Sequence, residues 1–246
     1  MADKDKRNGE PLDFCRTAPS AEQARAADAD EPCDDYRAAT GIGDSEGEED
    51  AAVSPQPGKG DALVLIDIQN DFLRGGALEV PGGEEVVPVL NRYMKIFEGK
   101  GLPIIATRDW HPPDHGSFKQ QGGPWPPHCV LETPGAAFSP GLHLPGSAVI
   151  VSTGAEAEKE GYSGFEEETL EHHLKRAETK RLWVGGLATD YCVRHTVLDA
   201  LRRGYEVLLL EDAVRAVDVT AGDGERAIEE MQSEGAQFVR LESLSD

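Results

Sequence analysis

The chain has 246 residues, 39% of them hydrophobic, and a formal net charge of −22 with an isoelectric point near 4.6. So acidic a chain repels nucleic acid and anionic membrane, which argues against both as partners. No apolar run reaches the roughly 20 residues of a membrane-spanning helix, and the opening MADKDKRNGE lacks the apolar stretch of a secretory signal, so a cytoplasmic location is expected.

Residues 1–60 are rich in Asp, Glu, Ala, Gly and Ser, with GDSEGEED at 43–50 and SPQPGKG at 54–60. Such a composition buries too little apolar surface to offset chain entropy, and a disordered acidic tail is expected. Residues 21–27 (AEQARAA) support at most a transient helix. Cys15 and Cys33 fall in this tail with no histidine or further cysteine close by, so no metal or redox role is assigned to them. With Cys129 and Cys192 they make four cysteines without framework spacing, which fits a reducing compartment.

The pattern changes at residue 61, where a domain running to residue 246 is expected to begin. Residues 62–66 (ALVLI) form a continuous apolar run, as in a strand buried on both faces. Similar runs follow at 102–106, 148–151, 182–184, 207–210 and 237–241. Helical patterns lie at 84–97, 165–176, 191–203 and 224–233. Their alternation predicts an α/β, three-layer fold with a mostly parallel sheet of about six strands flanked by helices. Ligands of such sheets sit beyond the carboxyl ends of the strands, so the residues after each run are the site candidates.

Asp67 follows the first strand. A carboxylate there is either a cap for the next loop or a general base. After the second strand come Asp109, His111 and His115, and later His128: a carboxylate and imidazoles suited to zinc, iron or manganese. His115 is either a further ligand or a residue that orients the others. His143, His172, His173 and His195 read as surface or helix positions. After the fourth strand, Cys192 opens a helix. It is either inert packing or a nucleophile, whose thiol the helix N-terminus would acidify and whose N–H could face an oxyanion.

Taken together, IDIQNDF (66–72), RDWH (108–111), WPPHC (125–129), YSGF (162–165) and GGLATDYCV (185–193) resemble the nicotinamidase branch of the isochorismatase-like hydrolases. The resemblance implies hydrolysis of nicotinamide to nicotinate and ammonia through a thioester, in NAD salvage. It makes Cys192 the nucleophile and Asp67 the base. Asp109, His111, His128 and in some arrangements His115 would hold one divalent metal, zinc first, with iron or manganese as alternatives. It places Phe72 and Trp125 on either side of the substrate ring, and implies a cis Leu187–Ala188 bond with the Ala188 and Cys192 amides as oxyanion donors. A homo-oligomer is compatible with it. One position departs: Thr153 stands where the family has a lysine, so that charge is missing. Lys159, six residues on, is either a replacement or a solvated loop lysine. An impaired nicotinamide-binding relative, or a hydrolase of another small amide or ester, are the alternative readings.

Overall fold

The computed structural model describes residues 55–244 except residue 167. The tail reading for residues 1–54, with Cys15, Cys33 and the helix at 21–27, lies outside the described residues. Residues 56–60 are tied to the sheet. Arg181 Nη2 donates to the Gln56 carbonyl at 3.1 Å, Lys100 Nζ to Pro57 O at 3.1 Å, and the Gly58 N–H to Asp61 Oδ2 at 2.8 Å.

Six strands form one all-parallel sheet: β1 (Asp61–Ile66), β2 (Ile104–Asp109), β3 (Val149–Thr153), β4 (Arg181–Leu187), β5 (Glu206–Arg215) and β6 (Gln237–Val239), in the order β3-β2-β1-β4-β5-β6. The helices are α1 (Val86–Gly99), α2 (Glu168–Arg176), α3 (Arg194–Arg202) and α4 (Asp223–Ser233). Side chains alternate across a strand, which explains the unbroken apolar run of β1. Leu63 and Leu65 pack in one core with Leu90, Tyr93 and Phe97 of α1. Ala62, Val64 and Ile66 join the other core, with Leu170 of α2, Val197 of α3 and Met231 of α4. Each helix turns one apolar face inward, as in an amphipathic surface helix.

The element order matches the sequence reading, but several boundaries move. β2 starts later and runs on through the polar Thr107, Arg108 and Asp109. β5 continues past its apolar run through Glu211 and Asp212, and its register against β4 shifts between Val184 and Gly186. β6 stops at Val239, where a 3-10 turn over Leu241–Ser243 follows. The helical pattern at 191–203 begins as a π-helical turn, Thr189–Val193.

After β1 the chain adds β2 and β3 on one side, then returns to add β4 to β6 on the other. β1 is therefore the switch point, where a crevice opens at the strand ends. Gly186 brings β4 against β1 here. It has φ of 133°, and a Cβ on it would lie 2.1 Å from Ile66 O, so only glycine fits.

Candidate active site

Asp67 leaves β1 with φ of 52°, a left-handed conformation uncommon outside glycine, and is buried. Thr107 Oγ1 donates to its Oδ1 at 2.6 Å. Across the crevice, the π-helical turn after β4 brings the buried Cys192 into hydrogen-bonding contact with Asp67. The Cys192 sulfur and one carboxylate oxygen each from Asp67 and Asp109 all lie within 4.8 Å of one another. Burial, and next the Asp109 charge, push Asp67 up to about 8. Burial and the Asp67 charge raise the Cys192 thiol well above its ordinary value. The shift is opposite in direction to the acidified thiol expected from a helix N-terminus, because desolvation and the nearby carboxylates disfavour the thiolate.

Asp109, His111 and His128, all buried, converge beside this pair. Asp109 Oδ2 lies 3.2 Å from His111 Nε2 and 3.7 Å from His128 Nε2. The opposite ring nitrogens face carbonyls: His111 Nδ1 lies 3.0 Å from Gly154 O, and His128 Nδ1 2.8 Å from Pro126 O. A carbonyl only accepts, so both rings carry hydrogen on Nδ1, which leaves Nε2, the nitrogen nearer Asp109, free to coordinate once unprotonated. That is the tautomer a metal needs, and the donor set fits a divalent transition metal. Burial opposes protonation of His111, but the Asp109 hydrogen bond and charge outweigh it and raise its pKa; burial lowers that of His128.

His115 does not join the three. Its Nε2 faces Lys159 O at 2.8 Å and its Nδ1 faces Ser117 Oγ at 2.7 Å, so both nitrogens are engaged. It instead lies against the His111 ring, with centroids 4.1 Å apart. Thr153 ends β3, fully buried, with Oγ1 3.3 Å from Asp109 Oδ1 and 3.3 Å from Arg108 O. Lys159 turns to Glu156, 2.8 Å away, with a side chain 40% exposed. It is not a buried replacement cation.

A small pocket opens over these groups. Cys192 and Ala188 line it on one side, and Asp109 and His128 on another. The Leu187–Ala188 peptide is cis. Phe72 and Trp125, both expected at a substrate ring, line the pocket too. Tyr162, Tyr191, Leu78 and Val217 complete the wall, and sequence reasoning gave none of them a role. Trp125 Nε1 donates to Tyr162 Oη at 2.8 Å, and Tyr191 meets the Trp125 ring edge-on at 5.1 Å. Tyr162 and Tyr191 lie inside quoted motifs, which was a usable signal. Leu78 and Val217 are loop residues with none.

The family description "Isochorismatase domain" matches residues 61–243. The chain is similar to an *Escherichia coli* nicotinamidase, 39% identical over 201 residues, spanning 73% of this chain and 94% of that one. It is also similar to the structure of a *Pyrococcus horikoshii* pyrazinamidase in complex with zinc: 50% identity, TM-score 0.71, covering 74% of this chain and 99% of that one. A third similar protein is PnC1 from *L. infantum* in complex with nicotinate, with 34% identity, TM-score 0.72, and coverage of 78% and 98%. The match begins at the first residue of β1 and ends beyond β6, so it takes in every strand that carries the site, and the chain belongs to the isochorismatase family.

Proposed function

We propose that this amidohydrolase converts nicotinamide to nicotinate and ammonia with Cys192 as nucleophile. One observation carries the reading: Cys192, bonded to the buried Asp67, lines the same small aromatic pocket as Asp109 and His128 of a three-residue set suited to a metal. The nicotinamidase and the nicotinate-bound relative above support the substrate.

In the proposed sequence Asp67 takes the thiol proton, and the sulfur attacks the carboxamide carbon. The carbonyl electron pair moves to oxygen, which the Ala188 and Cys192 amides would stabilise. The tetrahedral adduct collapses, and the leaving nitrogen takes the proton from Asp67 and departs as ammonia. Asp67 then deprotonates a water that attacks the thioester, releasing nicotinate and returning the proton to the thiol. Phe72 and Trp125 would flank the ring. Asp109, His111 and His128 would hold a divalent metal, which supplies a Lewis acid for the pyridine nitrogen and offsets the Asp109 charge.

Purified chain supplied with zinc, manganese or iron should release ammonia from nicotinamide, and Cys192→Ala should abolish that release. Absence of ammonia from the metal-replete wild type would overturn the proposal. Thr153 favours a second reading, an impaired nicotinamide binder, because it brings no cation to Asp67 and Cys192. That reading requires nicotinamide to bind without turnover.

A further inference from the structure

The pairing of β1 with β2 runs only to Leu65 opposite Ala106. Beyond it, Thr107 to Asp109 keep β3 on one side, where Asp109 pairs with Thr153, and have no strand on the other. The side chain of Gln69 takes that place. Its Oε1 accepts the Asp109 N–H at 2.8 Å, and its Nε2 donates to Asp109 O at 2.7 Å and to Ala136 O at 2.9 Å. Gln69 is wholly buried. One amide thus fixes both backbone polar groups of Asp109, as a neighbouring strand would.

Two residues on, Asp71 Oδ2 accepts the Cys129 N–H at 2.7 Å. Cys129 sits at φ of 45°, directly after His128, and its carbonyl accepts the His111 N–H at 3.0 Å. The His111 carbonyl in turn accepts the Leu131 N–H at 2.9 Å. Asp71 is therefore bonded to the segment that carries one histidine and pairs with the other. Gly135 leaves it room: a Cβ there would lie 2.1 Å from Asp71 Oδ2.

We infer that Gln69 and Asp71 are positioning residues that set the spacing of Asp109, His111 and His128 for metal binding. This rests on the reading of those three as ligands. Neither residue belongs to the clustered ligand group. Each acts through the backbone of a ligand or of the residue beside one, and loss of such outer partners typically costs about 10- to 100-fold in metal affinity.

The test is the zinc Kd of the full chain, measured by competition with a chromophoric chelator. Folding of each metal-free variant is checked by circular dichroism and thermal melting. Gln69→Leu and Asp71→Asn should weaken zinc by about 10- to 100-fold. Gly135→Ala should match Asp71→Asn, although it leaves the carboxylate chemically intact, and it keeps the test open if Gln69→Leu does not fold. Asn70→Ala, which loses only an exposed bond to Pro134 O, should bind zinc as the wild type does. Folded variants that all bind zinc within about twofold of wild type overturn the inference alone, since the effect expected is far larger. A wild-type chain that takes up no stoichiometric zinc overturns the ligand assignment and this inference together.

Discussion

At Thr153 a hydroxyl points at Asp109 where the family resemblance leads one to expect an ammonium group. Asp67, Asp109 and Cys192 crowd within 4.8 Å, and among the charges acting on Asp67 the one that lowers its pKa is His111. A cation at position 153 would favour both the ionised pair and the oxyanion. Thr153→Lys is expected to raise kcat for nicotinamide by about 10²-fold, the scale of a single preorganised electrostatic contact. Steady-state ammonia release checks this, and an unchanged kcat would mean another group already supplies the charge. The residues that gather at the candidate site were legible as candidates because each ends or follows a strand or sits in a dense motif. The direction of the Cys192 shift was not, since it depends on which carboxylates the fold brings near. The roles of Gln69 and Asp71 were equally hidden, because their partners lie 40 and 58 residues away.

Among the elements, β5 was the hardest to delimit. Its apolar run ends at Leu210, yet the strand continues through Glu211 and Asp212 to Arg215. The reason is tertiary: Asp212 Oδ1 accepts from Tyr93 Oη of α1 at 3.2 Å, and its Oδ2 accepts the Leu241 N–H at 2.9 Å. Burial, and then the Asp212 carboxylate, hold the Tyr93 hydroxyl well above its ordinary value. The folded state thus favours the protonated phenol. That stability is fully present below the unfolded value near 10 and is lost as pH rises beyond it. Tyr93→Phe should cost about 1.5–3 kcal/mol at pH 7, the range for a hydrogen bond to a charged group. In urea titrations the gap between wild type and variant should narrow above about pH 10. A gap that stays constant with pH would refute the ionisation argument. The other strands and helices were legible because buried parallel strands read as unbroken apolar runs and the helices as periodic ones.

At the scale of the molecule, the described residues form a six-stranded sheet with helices on both faces, and residues 56–60 are bonded to its lower edge through Arg181 and Lys100. No helix among them is long and apolar enough to cross a membrane. A chain beginning at Pro55 retains every one of those bonds. It should melt within a few degrees of the full chain, since a change of about 1 kcal/mol moves the midpoint of a domain this size by about 2–4 °C. It should also release ammonia from nicotinamide as fast as the full chain does. Loss of either would assign a role to the first 54 residues, which composition alone could not.

The switch at β1 also bears on how the molecule is made. Its partner on one side is β4, and Asp61 and Arg181, which face each other across that pair, are 120 residues apart. Closing so long a loop must precede any reward from the contact, whereas helices such as α1 form from neighbours in sequence. Asp67 and Cys192 lie at the end of this distant pairing, so they meet only when both halves of the sheet have docked. Helical signal should therefore return early on dilution from denaturant. Ammonia release should lag behind it, reporting completion of the sheet and not its beginnings.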